Sequence, residues 1–196
     1  MSTGAGFPDW MEVPTVVAGP EAALAKALLV DDRRDNLIAL EAILQGLPVE
    51  PVAVESGAAA LKQLLIDDFA VILLDAQMPD MDGFETASHI KHRERTRHVP
   101  IIFLTAADRD AQLALRGYAV GAVDYLTKPF DPWVLRAKVS VFVELWTKNR
   151  QLEAQAEAAR QLRHLITAVD GATALLRSGT DADTKRALEL LEQARP

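Results

Sequence analysis

The chain has 196 residues, no cysteine and a formal net charge of −7 at pH 7. The acidic balance argues against general nucleic-acid binding, which needs a basic surface. The absence of cysteine fits a reducing compartment, and the N-terminus lacks the basic start and long apolar run of a signal peptide. We therefore expect a cytoplasmic protein without a membrane segment, and its hydrophobic content is sufficient for a substantial core.

Residues 1–25 are rich in Gly, Pro and Ala and predict a flexible leader. From residue 26, short aliphatic runs alternate with helical patterns. Four of these runs are almost continuously apolar, as in strands covered on both faces, whereas the second contains Pro51 and suits an edge strand. This alternation predicts an α/β fold, a five-stranded parallel doubly wound (flavodoxin-like) sheet, over residues 26–146. The predicted strands are 27–30, 49–54, 70–75, 100–105 and 122–127.

A helical pattern follows each predicted strand. We expect Asp35 and Asn36 to cap the first helix, Ser56 to cap the second, and Asp131 to cap the last, just before Pro132. The third and fourth patterns cover residues 83–96 and 108–121.

Polar side chains stand at the carboxyl ends of four predicted strands. Asp31 and Asp32 follow the first strand, Asp75 ends the third, Thr105 ends the fourth and Lys128 follows the fifth. Parallel strand ends meet at one rim of a sheet, so these groups should converge. Three carboxylates suit a hard divalent ion such as Mg²⁺, with the lysine as a second cation. A carboxylate beside Mg²⁺ can attack phosphorus while both cations neutralise the phosphoryl charge.

These motifs resemble the receiver domain of bacterial two-component response regulators. The matching stretches are "DD" at 31–32, Asp75 in "LLDAQMPDMDG", Thr105 in "FLTA" and Lys128–Pro129 in "YLTKPF". The resemblance implies that Asp75 accepts a phosphoryl group from a histidine kinase.

The same resemblance implies further roles. Asp32, Asp75 and the backbone carbonyl of Gln77 would hold Mg²⁺, with Asp31 acting mainly through water. Thr105 would turn towards the phosphoryl oxygens and Tyr125 would be the aromatic switch. The Lys128–Pro129 peptide bond would be cis, as is usual in such domains.

Two competing functions fit the sequence less well. An aspartyl phosphatase of the haloacid-dehalogenase type carries a second acid two residues after its nucleophile, where this chain has Gln77. A flavodoxin-like cofactor binder needs a phosphate-cradling loop, and no glycine-rich motif of that kind is present. Asp80 and Asp82 could be metal ligands, but turn residues before a glycine are the favoured interpretation.

Three histidines and four basic residues occupy residues 89–98. A metal pair is conceivable there, because His89 and His92 lie three residues apart. A solvated basic face is the favoured interpretation.

The last 50 residues, 147–196, do not match a receiver. Steps of three and four from Leu145 trace a heptad-like stripe, which predicts a long helix that continues the last receiver helix. "SGTD" at 178–181 predicts a turn before a second short helix, so we expect a helical hairpin that forms a homodimer, as a four-helix bundle. The interface residues would be Leu152, Leu162, Ile166, Val169, Leu176, Leu188 and Leu191.

The predicted function is a stand-alone response regulator that signals through protein–protein contacts and is not itself an enzyme. The alternative is a receiver-containing fragment of a hybrid histidine kinase or a larger regulator, with the helices as a dimerisation linker. The nearly neutral charge after residue 147 argues against a DNA-binding output. His164 could suggest a phosphotransfer hairpin, but it lacks the acid and the proline that follow a kinase histidine.

Overall fold

A computed structural model describes residues 24–106, 124–178 and 180–194. The strands are β1 (Ala25–Val30), β2 (Val49–Val54), β3 (Val71–Asp75), β4 (Ile101–Ala106) and β5 (Asp124–Lys128). The helices of this described part are α1 (Arg34–Leu44), α2 (Gly57–Ile66), α3 (Gly83–His92), α4 (Pro132–Ser178) and α5 (Asp181–Gln193). The helix predicted at 108–121 lies outside the described residues, as does most of the predicted leader. None of these helices combines the length and apolar character needed to cross a bilayer.

The five strands form one parallel sheet in the order β2-β1-β3-β4-β5. This order confirms the predicted flavodoxin-like fold. It also confirms β2 as an edge strand, where Pro51 can be accommodated despite its missing N–H. The first strand starts at Ala25, so the predicted boundary at residue 26 falls inside it.

Alternate residues of each central strand face opposite sides of the sheet, which creates two cores. Leu73 belongs to one core together with Leu40 of α1 and Leu135 of α4. Its neighbour Leu74 belongs to the other core, together with Ile90 of α3. Because every residue of β3 is buried, its sequence is almost wholly apolar until Asp75.

The predicted caps of the first helix are wrong. The N-cap is Arg33, in extended conformation and without a side-chain cap, and the helix begins at Arg34. Asp35 therefore lies inside the first turn. The amide of Asn36 is instead bound to the carboxylate of Asp31, directly after β1, so a contact across the β1–α1 turn replaces the expected cap.

The other two predicted caps are confirmed. The Ser56 hydroxyl accepts the N–H of Ala59 at 3.2 Å. The Asp131 carboxylate accepts the N–H of Trp133 at 2.8 Å, and Pro132 is the first residue of α4. Each side chain satisfies a donor that the first helical turn leaves open.

The third helix is shorter than the pattern 83–96 predicts, because it ends at His92. The hydroxyl of the buried Thr96 donates to the carbonyl of Ile90 at 2.8 Å, and its N–H donates to Arg93. The chain thus turns back on the end of the helix instead of extending it.

The last helix runs unbroken for 47 residues, from the receiver through the predicted extension. Helix α5 folds back on it as a hairpin, with Thr180 as its N-cap. Small residues form the contact, since Ala168, Ala172 and Ala187 are buried and Gly171 faces Leu190. The predicted leucine-rich stripe stays outside this contact and is 51–62% exposed at Leu152, Leu162, Ile166, Val169 and Leu176.

Candidate functional site

The predicted polar groups meet at the rim of the sheet where the strand order reverses, between β1 and β3. Lys128, the last residue of β5, reaches across this rim. Its Nζ lies 2.8 Å from Asp31 Oδ2 and 2.7 Å from Asp75 Oδ1. Three side chains from distant parts of the chain are therefore joined by two charge-assisted hydrogen bonds.

Asp31 is completely buried and is held by three donors. Its Oδ1 accepts the backbone N–H of Arg33 at 3.0 Å, and its Oδ2 accepts Lys128. The Asn36 amide donates to both carboxylate oxygens, at 2.8 and 2.9 Å. The orientation of this carboxylate is therefore fixed by the β1–α1 turn as well as by the lysine.

Asp75 ends β3 and is only 8% exposed. Burial raises the pKa of its carboxyl group and outweighs the opposing attraction of the Lys128 ammonium. The negative charge of Asp31 raises the pKa further, while the backbone N–H of Gln77 counteracts this by binding the carboxylate. The carboxylate is thus poorly solvated, which favours reaction with an incoming electrophile.

Lys128 is a partly buried ammonium between two acids. Burial alone would lower its pKa, but the hydrogen bonds to Asp31 and Asp75 together raise it above the ordinary value. The lysine is therefore a fixed positive charge at neutral pH. The peptide bond from Lys128 to Pro129 is cis, as the resemblance implies.

Asp31, Asp32 and Asp75 form a group that can hold a metal ion. Each offers an oxygen, and these oxygens lie within 4.8 Å of one another. In octahedral Mg²⁺ the oxygens sit about 2.0–2.1 Å from the ion, so ligands on opposite sides are roughly 4 Å apart. The three acids and one lysine leave an excess of negative charge that a divalent ion would reduce. Since the exposed Asp32 already offers an oxygen within 4.8 Å of those of the other two, the residues present fit such an ion.

The remaining predicted residues surround this rim. Thr105 lies near the end of β4, next to Leu104, which pairs with Asp75. Gln77 is exposed just beyond β3. Tyr125 lies in β5 opposite Phe103 and is 43% exposed, so its side chain points at least partly to solvent.

The β3–α3 loop approaches the site closely. A Cβ on Gly83 would lie 2.2 Å from the carbonyl oxygen of Asp75, so a side chain there would displace the strand end. Asp82 caps α3 by accepting the N–H of Glu85 at 2.7 Å, and Asp80 has a φ of 64°. These contacts agree with the favoured interpretation of both aspartates as turn residues.

The histidines are engaged locally. His89 lies 4.0 Å from Glu85, and His92 contacts the carbonyl of Ser88 at 2.7 Å. Within the described residues, the group that could hold a metal ion consists of Asp31, Asp32 and Asp75 and contains none of these histidines.

Asn36 contributes to the site in a way that its sequence pattern does not predict. It lies five residues after Asp31, in the first turn of α1, where the pattern predicts a helix cap. The absence of any side-chain cap at Arg33 is visible only in the structure.

The comparisons with known proteins agree with this geometry. The family model described as "Response regulator receiver domain" matches residues 27–140, more than half of the chain. The chain belongs to the response regulator receiver family. Receiver domains accept phosphoryl groups from histidine kinases, so this chain has a role in phosphorelay signalling.

Several curated relatives are much longer than this chain. A probable cyclic di-GMP phosphodiesterase of Vibrio cholerae is 34% identical over 169 residues, which cover 80% of this chain and 37% of that protein. Response regulator PleD of Caulobacter vibrioides is 39% identical over 59% of this chain and 25% of its own length. The sensor histidine kinase GacS of Pseudomonas protegens is 34% identical over 70% of this chain and 16% of its own length.

Solved receiver structures match the same part of the chain. The chemotaxis protein CheY4 of Vibrio cholerae has a TM-score of 0.57 and 31% identity, and covers 61% of this chain and 99% of that chain. The BeF3-activated receiver domain of DrrB has a TM-score of 0.56 and 33% identity, covering 62% of this chain and 99% of that one.

Proposed function

We propose that a histidine kinase transfers its phosphoryl group to Asp75 in the presence of Mg²⁺. The phosphorus–nitrogen bond of the kinase phosphohistidine breaks, a phosphorus–oxygen bond forms on the Asp75 carboxylate, and the histidine takes up a proton. The observation that carries this proposal is the position of Lys128 Nζ, which is 2.7 Å from Asp75 and 2.8 Å from Asp31.

The metal would be held by Asp31, Asp32, Asp75 and the backbone carbonyl of Gln77. The buried Asp31 would act mainly through water, whereas the exposed Asp32 is free to approach the ion directly. When bound, Mg²⁺ supplies positive charge that stabilises the transferring phosphoryl group. Lys128 would supply a second positive charge, since its Nζ lies 2.7 Å from Asp75 Oδ1.

Two residues would connect phosphorylation to the surface. The Thr105 hydroxyl, near the end of the strand beside β3, would donate to the phosphoryl oxygens. Tyr125, which is 43% exposed, would then turn inward and exchange an exposed position for a buried one. The unphosphorylated and phosphorylated states would thus differ in the contacts of Thr105 and Tyr125, and a shift of population between two states requires such a difference.

Incubation with acetyl phosphate and Mg²⁺ tests the acceptor. We expect one acid-stable but alkali-labile phosphate per chain, detected by intact-protein mass spectrometry. Asp75→Asn should remove it, since an amide cannot form the acyl phosphate. Asp80→Asn, the same change on an exposed turn residue, is the control and should be phosphorylated like the wild type.

We also propose a homodimer through the C-terminal helices, residues 147–196, beside a receiver domain at 26–146. The exposed stripe supports this, because α5 packs on another face of α4 and leaves it open. The stripe begins within the receiver part of α4, where Val134, Val141 and Leu145 are 42%, 62% and 55% exposed. Their spacing continues the heptad steps of the extension, as in a coiled coil.

The energetics favour association. Burial of one aliphatic side chain contributes about 1.5–3 kcal/mol, and each chain offers five stripe residues, with Leu188 and Leu191 exposed on α5. Counted over both chains of a symmetric dimer, this burial would exceed an association cost of roughly 4–15 kcal/mol. Two hairpins packed in this way would form a four-helix bundle.

A second candidate function is that of a receiver with its connecting helix from a larger regulator or a hybrid kinase. The match to the Vibrio cholerae phosphodiesterase covers 80% of this chain, more than the family model at 27–140. Residues 1–140 make up less than 80% of the 196-residue chain. The match must therefore include residues after 140. The helices would then link the receiver to another domain and align two copies of it.

The output in either case would be a change in protein–protein contacts, in the cytoplasm. The net charge of −7 opposes binding to nucleic acid. We assign no enzymatic activity to this chain beyond acceptance of the phosphoryl group. Co-purification of the phosphorylated and unphosphorylated chain with partners tests this output, and a target that binds both forms equally would oppose it.

A further inference from the structure

Asn36 makes a contact that capping does not explain. Its Nδ2 lies 2.8 Å from Oδ1 and 2.9 Å from Oδ2 of Asp31. The N-cap of α1 is Arg33, and its N–H also binds this carboxylate. The side chain of Asn36 is therefore committed to the site at the rim of the sheet and not to the end of its own helix.

The importance of this contact follows from the burial of Asp31. Its carboxylate is 0% exposed, so water cannot hold it in one orientation. A buried carboxylate that is not fully hydrogen-bonded is costly, and its position then becomes free to change. Two side chains supply the fixed donors, Lys128 from β5 and Asn36 from α1.

This inference rests on the proposed function. In that function Lys128 and Asn36 have different roles as donors to Asp31. Lys128 also serves Asp75 and would be drawn to the phosphoryl group when it arrives. Asn36 contacts Asp31 and has no part in the transfer. It is the side-chain donor that remains on Asp31 throughout the reaction.

We propose that Asn36 is a positioning residue, which holds the Asp31 carboxylate in the orientation needed for its contact with Mg²⁺, mainly through water. It acts through Asp31 and touches neither the metal nor the phosphoryl group. Without its amide, Asp31 would keep only the Arg33 N–H on Oδ1 and Lys128 on Oδ2. A lysine drawn towards the phosphoryl group would then shift the carboxylate away from the orientation that suits the ion.

The test is a calorimetric titration of the full chain with Mg²⁺ alone. Asn36→Leu is close in size and removes the donor, and Asn36→Ala, which also lacks a donor, is a second variant if the first does not fold. We expect Mg²⁺ to bind at least fivefold more weakly to either variant. Phosphorylation by acetyl phosphate should need correspondingly more Mg²⁺ and should recover most of its rate at saturating Mg²⁺.

Leu40→Val is the matched control. It lies one turn further along α1, is buried, and should destabilise the fold without changing Mg²⁺ affinity. Weaker Mg²⁺ binding in the Asn36 variants alone supports the inference. Wild-type affinity in those variants, or an equal loss in Leu40→Val, would overturn it. If the wild type does not take up phosphate, the proposed function is refuted. The Mg²⁺ titration still tests the role of Asn36, because it does not depend on phosphorylation.

Discussion

The negative charge of the buried Asp75 carboxylate destabilises the folded protein. Its pKa is raised because burial penalises the carboxylate more than Lys128 stabilises it. Such a group destabilises the native state above its folded pKa. The penalty shrinks as the pH falls through that pKa and is gone below the unfolded pKa. The reactivity of the site is therefore maintained at a cost in stability, as at many functional sites.

We predict that Asp75→Asn is more stable than the wild type at pH 7 without Mg²⁺, by about 0.5–3 kcal/mol. The neutral amide keeps the shape of the side chain without the poorly solvated charge. The advantage should shrink as the pH falls through the raised pKa and should be gone below the unfolded value near 3.8. Urea unfolding in chelator, at several pH values, measures this difference.

Asp80→Asn is the control for this experiment, because Asp80 is an exposed turn residue whose left-handed φ suits asparagine. Its stability should stay close to that of the wild type. Added Mg²⁺ should stabilise the wild type more than Asp75→Asn and so reduce the difference. A less stable Asp75→Asn at pH 7 would show that the Lys128 contact outweighs burial.

At the scale of the elements, two helical glycines differ in how much space a side chain would have. A Cβ on Gly83 would meet backbone atoms of β3, 2.2 Å from the Asp75 carbonyl oxygen and 2.9 Å from the Ala76 Cα. A Cβ on Gly171 would meet only the Cδ1 of Leu190, at 3.6 Å. The first glycine allows α3 to start against the strand that carries Asp75, whereas the second merely lies within α4.

We predict that Gly83→Ala destabilises the protein by about 1–3 kcal/mol and slows uptake of phosphate from acetyl phosphate. The backbone of β3 cannot move away without displacing Asp75. Thermal unfolding and the rate of phosphorylation measure the two effects.

Gly171→Ala is the matched control, and it should stabilise α4 by about 1 kcal/mol because alanine is the better helix former. Phosphate uptake should not change. Normal stability and normal phosphorylation of Gly83→Ala would mean that the loop relaxes without moving the site.

At the scale of the whole molecule, the long helix joins the receiver, which carries the candidate site, to the exposed stripe. Its first turns pack on the sheet through Leu135, Val139 and Val143. Further along, Arg150 reaches back to Asp68, with an Nη2–Oδ2 distance of 3.1 Å. An exposed ion pair of this kind contributes little stability, but it extends the contact between α4 and the receiver beyond the sheet.

We predict a dimeric mass by light scattering at micromolar concentration, with or without phosphorylation. Leu162→Glu should shift the chain to a monomer, because it puts a charge in the centre of the stripe. Gln161→Glu adds the same charge to the neighbouring exposed position and should leave the dimer intact. A monomeric wild type would refute the constitutive dimer, and a dimer that survives truncation at residue 147 would place the interface on the receiver.

The sequence by itself determined the sheet, its edge strand and the chemical character of the site. Continuous apolar runs identify strands that are covered on both faces, and the polar residues that end them must then meet at one rim. Asp31, Asp75 and Lys128 could be placed together in this way because parallel strands share a direction. The unbroken α4 was also predictable, since its sequence contains no proline after Pro132.

Only the tertiary structure decided which contacts those residues make. The sequence around Asn36 predicts a helix cap, but its amide binds Asp31, five residues earlier, because the β1–α1 turn directs both side chains towards the rim. The hairpin was predicted from its turn, yet the structure alone placed alanines in its contact and left the leucine stripe exposed. Periodicity identifies an apolar face of a helix, but the partner of that face is chosen by packing between elements distant in sequence.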